Sequence, residues 1–426
     1  MPSKQIESKP IQKPNLYKTL FATCIGNALE WFDIAVYATF ANNIAKAFFP
    51  NTDETLSLIM TFASFGISFL IRPLGAIFLG NYADKHGRKA SLLMSMILMM
   101  IGCFMIVIMP TYATIGLIAP ILMIVARLIQ GFSAGGEFGS STAFLIEHFP
   151  ERKAFIASWQ FATQGVSTLL AALFGLVLTH TLSEQQISDW GWRIPFAFGL
   201  LIGPVGLYIR RYIDESPVFN KAKKSKQPLK EIIFQQKSLL FIAVGLMMIS
   251  TAINYMLQYV PTYATKVLKL DSSTAFTASL IAGIILTVVT PLIGLWAEKI
   301  GRLPMMVTSL LLLLITIYPG FSLTIEFLSP ISLISLIAWL ALLKSIYFAT
   351  VPSMMADIFP IRTRATGMAI SYNLSVTIFG GFTPMICTSL IDFTKSSLAP
   401  SYYLIVIGFV SLFALYQASG LNKNNQ

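Results

Sequence analysis

Charge is what this sequence has least of. Of its 426 residues only 12% are Asp, Glu, Lys or Arg, and 55% are hydrophobic. Soluble domains carry about 25% charged residues. Residues 154–183, 238–265, 272–297, 303–325, 365–391 and 396–422 contain none of the four charged types. A soluble globular fold is thereby excluded. Because about 20 apolar residues cross a hydrocarbon core, an all-α polytopic membrane protein is expected. Cysteine and histidine are scarce as well, at three each. Cys24, Cys103 and Cys387 are scattered through apolar segments, with neither a disulfide framework nor metal-ligand spacing. No metal and no cofactor are expected. Walker A and HExxH patterns are absent too and the three His are isolated, so neither ATP-driven transport nor hydrolysis is expected, and the chain is not read as an enzyme.

What charge there is leans positive, at a net +11. Its placement argues against a nucleic-acid partner. Of the 30 Lys and Arg, 22 fall in 1–18, 85–89, 152–153, 210–237, 299–302, 362–364 and 423. These are the two tails and alternate loops, the positive-inside pattern of a multi-pass protein of the cell (inner) membrane with both termini cytoplasmic. The lysines of the central loop suit anionic membrane lipids. The first 15 residues are polar and the following span is long, which does not read as a cleavable signal.

Hydropathy predicts twelve spans: 17–48, 55–82, 89–109, 113–148, 152–182, 191–212, 238–265, 272–297, 303–325, 330–357, 363–392 and 398–420. Two halves are expected, 1–213 and 238–426, joined by a basic cytoplasmic loop over 214–237. Internal repetition supports the division. Gly80-x3-Asp84-Lys85-x-Gly87-Arg88 recurs as Gly294-x3-Glu298-Lys299-x-Gly301-Arg302, and Glu147-x-Phe149-Pro150-x-Arg152 recurs as Asp357-x-Phe359-Pro360-x-Arg362. Two independent matches at nearly one spacing indicate a duplication. Parallel repeats of this kind hold a solute between them near the bilayer midplane.

The polar residues inside spans are the candidate site. The fourth span ends in RLIQGFSAGGEFGSSTAFLIEHFP, which carries Arg127, Gln130, Glu137 and Glu147 among Gly131, Gly135, Gly136 and Gly139. Charge in a bilayer is costly and survives facing a protein interior or a cavity, and small residues let a neighbouring helix approach. In the first span Glu30, Asp33 and Tyr37 are spaced to share one helix face. Paired carboxylates there suit uptake and release of a proton, or else an ion pair with Arg or Lys of another helix. Span seven places Asn254, Gln258 and Thr262 beside Tyr255, Tyr259 and Tyr263, a polar stripe next to an aromatic one. Such a surface suits either a cavity lining, with tyrosines able to hold a quaternary ammonium, or interhelical packing. Lys344 stands mid-span, unpaired unless it meets a carboxylate or the solute. The second span also carries Ile71-Arg72-Pro73, to which the pattern assigns no role.

The string RLIQGFSAGGEFG resembles the fourth-helix signature of the metabolite:proton symporter branch of the major facilitator superfamily, which includes proline/betaine, α-ketoglutarate, shikimate and citrate transporters. GWRIPF from Gly191, and Tyr372, Asn373 and Gly380-Gly381, match the same branch, and the resemblance runs over about residues 20–415. It implies two pseudo-symmetric six-helix bundles. It also implies a proton symporter importing a small polar metabolite, of proline/betaine type or a carboxylate such as α-ketoglutarate, by alternating access. A channel or facilitator without proton coupling is the alternative. Proton coupling is expected at Glu30, Asp33 and Glu137. Substrate binding is expected at Tyr37, Arg127, Gln130, Asn254, Tyr255, Gln258, Tyr259, Lys344, Tyr372 and Asn373. The resemblance further implies cytoplasmic gating at Gly80, Asp84, Gly87, Arg88, Lys89, Glu147 and Arg152, with Glu298, Arg302, Asp357 and Arg362 in the second half. A small-molecule substrate, protons and lipids are the expected partners of a monomer.

Overall fold

The computed structural model describes residues 16–86, 88–136, 150–201, 203–204, 231–360 and 363–424; its described side chains exclude 16–26, 80–81, 83–93, 136, 150, 365 and 421–424. Among these residues every regular element is helical, and a helix falls within each of the twelve expected spans. In the first half they are α1 (Leu16–Thr39, resumed as Ala41–Phe48), α2 (Glu54–Leu70, resumed as Arg72–His86), α3 (Arg88–Ile108), α4 (Ile118–Ser133, then a tight turn Ala134–Gly136), α5 (Lys153–Thr181) and α6 (Arg193–Gly199). The second half contains α7 (Lys237–Thr262), α8 (Ser272–Ile300), α9 (Arg302–Glu326), α10 (Pro330–Ile358), α11 (Arg364–Val376 and Thr383–Thr394, joined by a wide turn Thr377–Gly381) and α12 (Ala399–Asn424). The expected loop over 214–237 ends earlier than hydropathy suggests. Glu231–Gln235 already forms a wide helical turn that buries Ile232.

Local chemistry explains where helices begin. Asp53 caps α2 by accepting from the backbone N–H of Thr55 and Leu56 at 2.8 and 3.3 Å, which satisfies donors that have no partner within the helix. Asp271 does the same for α8, accepting from the Thr274 hydroxyl and backbone N–H, and these hydrogen bonds hold its carboxyl below the usual range. Ser329 and Ser332 cap α10 reciprocally, with Pro330 as its first residue. Gly301, at φ +99°, turns the chain from α8 into α9, a conformation that residues with a Cβ rarely adopt.

Eight of the described helices are long and apolar enough to cross a membrane, and Met94–Ile108 and Ile118–Ser133 are shorter apolar ones. Large side chains such as Ile77, Phe104, Val288, Ile315 and Phe409 face outward. In water such a surface would invite association; in lipid it is the favourable finish. Between helices, packing rests on small residues. A Cβ on Gly131 would come 1.7 Å from the Ser68 carbonyl oxygen, and one on Gly135 2.1 Å from that of Arg72, so α4 lies directly on the backbone of α2. Across the two halves, a Cβ on Gly283 of α8 would come 2.6 Å from the Leu169 nitrogen of α5.

Candidate functional site between the helical halves

Among the described residues three polar centres lie inside the helices, and the third joins the halves. The first is in the N-terminal bundle. Arg127 of α4 lies over the Tyr37 ring at 4.4 Å and near Phe65 at 5.4 Å. Its Nη1 donates to Gln130 Oε1 at 2.7 Å and its Nη2 to Ser68 Oγ at 3.3 Å. Gln130 Nε2 in turn donates to Asp33 Oδ2, as does the Cys103 thiol of α3. Asp33 Oδ1 has no partner among the described residues. A Cβ on Gly199 of α6 would sit 2.8 Å from it. An amide thus links a buried cation to a buried anion, and each offsets part of the other's desolvation.

The second centre is in the C-terminal bundle. Lys344 was expected to be unpaired unless it met a carboxylate or the solute; it meets an amide. Its Nζ donates to Asn254 Oδ1 at 2.5 Å and lies 4.6 Å from the centre of Phe348, a ring stacked on Phe161. A small cavity beside it is lined by Ser250, Ile253, Ser309, Leu313 and Tyr347.

The third centre joins the halves, and it is organised by Arg72, a residue the sequence pattern left without a role. Arg72 is 2% exposed. Its guanidinium lies 4.4 Å from the Phe69 ring centre and 5.3 Å from that of Trp31. Tyr255 of α7 meets Phe69 edge-on at 5.4 Å and Trp31 at 6.5 Å. Both Arg72 and Glu30 lie within electrostatic range of the phenols of Tyr255 and Tyr372. Gln164 of α5 donates to Tyr372 Oη at 3.4 Å. The Gly380-Gly381 pair makes room here: Cβ atoms on them would meet Tyr255 at 2.7 Å and Phe69 at 2.3 Å. The same rule that singled out Arg127 and Lys344, a cation inside a span, would have found Arg72 had it been applied throughout.

The structure separates residues that spacing had grouped. Glu30 and Asp33, expected on one face, serve different centres: Asp33 accepts from Gln130 and Cys103 of its own bundle, whereas Glu30 lies within electrostatic range of Tyr255 and Tyr372 of the second half. Tyr37 bonds Ser64 Oγ at 2.6 Å. Tyr259 accepts from Thr388 Oγ1 at 3.0 Å and meets Phe62 of α2 edge-on. The oxygen of the Gln258 amide has no partner among the described residues. Asn373 donates to the Gly135 carbonyl oxygen at 3.2 Å, tying α11 to α4.

Contacts close both ends of the interface. At one, Lys266 pairs with Glu54 at 2.7 Å and Asn42 donates to Thr265 at 3.2 Å. At the other, Glu298 of α8 accepts from the backbone N–H of Ala154 and Phe155, at 2.6 and 3.3 Å, and so caps α5 of the opposite half. Asp357 pairs there with Arg302 and, at 3.3 Å, with Lys153. Arg152 is exposed. Glu137, Glu147, Gly87 and Arg362 fall outside the described residues, and Gly80, Asp84, Arg88 and Lys89 are described only as helical backbone.

Helical passes enclosing buried charge between two halves define a polytopic membrane transporter. Residues 23–290 match the Major Facilitator Superfamily and residues 219–421 the sugar (and other) transporter family, and the chain belongs to the Major Facilitator Superfamily. It is 37% identical over 404 residues to the citrate-proton symporter of Klebsiella pneumoniae, covering 93% of this chain and 91% of that protein. It is 32% identical over 417 residues to the proline/betaine transporter of Escherichia coli, covering 94% and 83%. Among solved structures, the crystal structure of a D-xylose-proton symporter superposes with a TM-score of 0.75 at 16% identity, over 93% of this chain and 97% of that one.

Proposed function

We propose that this protein imports a small polar metabolite together with protons, by alternating access between its two halves. The observation that carries the reading is the chain Arg127–Gln130–Asp33, a buried carboxylate engaged wholly within one bundle. Such a group can gain or lose a proton without meeting the solute, and its charge state alters how α1, α3 and α4 hold together. Proton movement is thereby coupled to helix movement. The cluster of Glu30, Arg72, Tyr255 and Tyr372 is the solute site, enclosed by contacts at both ends that must break alternately. Names of the relatives, citrate-proton symporter and proline/betaine transporter, agree with this reading. A transporter without enzymatic activity follows, working as a monomer in lipid. The two halves span 1–213 and 238–426, and the basic end bearing Glu298 and Asp357 faces the cytoplasm of an inner-membrane protein.

The test is uptake into proteoliposomes under an imposed pH gradient. Asp33→Asn is expected to abolish accumulation while solute exchange persists. Accumulation by that variant, insensitive to a protonophore, would remove Asp33 from the coupling role.

A further inference from the structure

Lys344 is a buried charge that neither the Asp33 centre nor the central cluster uses. It is 1% exposed, in the middle of α10. The described helices packed on α10 are α5, α7, α8, α9, α11 and α12. None of them brings a described Asp, Glu, Arg or second Lys into range of its Nζ. Tyr347, on α10 itself, carries the one other titratable group lining the cavity beside it. An ionisable side chain held inside a span without a counter-charge is expensive. Either an anion comes to it or its proton can leave.

The chemistry of the cavity argues against an anion. Ser250 Oγ donates to the Met247 carbonyl oxygen at 3.0 Å, Ser309 Oγ to that of Met306 at 3.1 Å and Tyr347 Oη to that of Leu246 at 3.0 Å. Each hydroxyl thus directs its single proton to the backbone and offers the cavity only lone pairs. Lone pairs repel an anion and accept from water, and the space suits about one water molecule. The partner of Lys344 fits the loss of a proton. Asn254 Oδ1 accepts from the ammonium, and it can accept from a neutral amine as well. A carboxylate in its place would hold the proton on the nitrogen.

We propose that Lys344 is a second proton-carrying group, which takes a proton from water on the outer side, carries it as the ammonium and gives it to water on the cytoplasmic side in each cycle. The proposal rests on the proton-coupled reading above and adds a carrier to Asp33. The N–H bond formed on one side is the bond broken on the other, so the amine is restored and the net change is a proton moved inward. Its charge reaches the interface through a ring. Nζ lies 4.6 Å from the centre of Phe348, and that ring stacks on Phe161 of α5 with centroids 3.6 Å apart and planes 17° from parallel. A cation attracts an aromatic face and a neutral amine does not. Gain and loss of the proton therefore alter a contact between the halves.

Spin labels in pairs across each end of the interface, one on each half, test this on the full chain in lipid nanodiscs with no solute present. The populations are followed from about pH 4 to about pH 11, which spans ordinary carboxylate and lysine titration. Wild type is expected to shift in two steps. Lys344→Met should lose one of them, and so should Lys344→Arg, which keeps the charge but cannot release a proton. Asn254→Asp, which fixes the proton on Lys344, should lose the same step, and it serves where the larger arginine disturbs the fold. Lys344→Arg or Asn254→Asp retaining both steps would show a fixed structural charge and overturn the proposal, as would a Lys344→Met curve equal to wild type. The coupling reading is judged by the other step. Should Asp33→Asn keep both steps, Asp33 loses its role and Lys344 keeps its own.

Discussion

Asp33 and Arg127 are joined without touching: the amide of Gln130 accepts from the guanidinium at 2.7 Å and donates to the carboxylate. The amide keeps two opposite charges in communication while neither is neutralised by direct contact. Direct pairing would lock α1 to α4 more firmly, whereas complete separation would leave a charge uncompensated in a low-dielectric interior.

Gln130 is therefore expected to matter through coupling. Gln130→Ala removes hydrogen bonds to two charged groups, each worth about 1.5–3 kcal/mol when buried. Accumulation under a pH gradient should fall at least about tenfold, with solute exchange reduced much less. Equal loss of both would mean that Gln130 only supports the fold.

The origin of that arrangement was partly visible in the sequence. Arg127 and Gln130 stand three apart in a span, which puts them on one face of α4, and Glu30 and Asp33 are as closely spaced on α1. Spacing could not tell that Asp33 meets Cys103 of α3 and Gln130 of α4 while Glu30 comes within electrostatic range of Tyr255 of α7 and Tyr372 of α11, because that depends on how α1 is rotated against its neighbours. The fold was legible in the uncharged stretches and the repeated loop motif. The central site was less so. Arg72 looks like any cation near a helix break until Phe69, Trp31 and Tyr255, far apart in sequence, are packed around it.

Cys103 donates to the same oxygen of Asp33 that Gln130 occupies, and this leaves Oδ1, beside Gly199, as the oxygen that can take the proton. Cys103→Ser keeps a donor and should transport nearly as wild type. Cys103→Ala removes it and should displace the pH profile of uptake. Identical profiles for the two variants would show that the thiol does not position the carboxylate.

Gly131 tests the packing that holds this centre in place. A methyl group at 131 would meet the Ser68 carbonyl oxygen, which is backbone and cannot swing away. Overpacking of this kind costs about 1–3 kcal/mol or more. Gly131→Ala should lower the Tm in detergent by several degrees and weaken proton-driven uptake, because Ser68 also bonds Arg127. A Tm equal to wild type would mean that α2 and α4 are not in such close contact.

The two ends of the interface should differ in strength, and magnitudes suggest which dominates. Glu54 and Lys266 form an ion pair whose Glu54 side chain is 74% exposed. Exposed pairs of that type contribute little, about 0.2–1 kcal/mol. At the opposite end Glu298 accepts two backbone N–H groups at the start of α5, where a capping carboxylate is worth about 0.5–2 kcal/mol and the helix dipole adds to it. Asp357 adds a further tie through Lys153 to the same helix. Glu298→Ala should therefore shift the population toward opening at the end bearing Glu298, whereas Lys266→Ala should change the balance only a few-fold. Spin labels placed in pairs across each end, one on each half, would report both populations. If Lys266→Ala opens its end widely while Glu298→Ala leaves the distances unchanged, the exposed pair is the stronger lock and the cap on α5 contributes little.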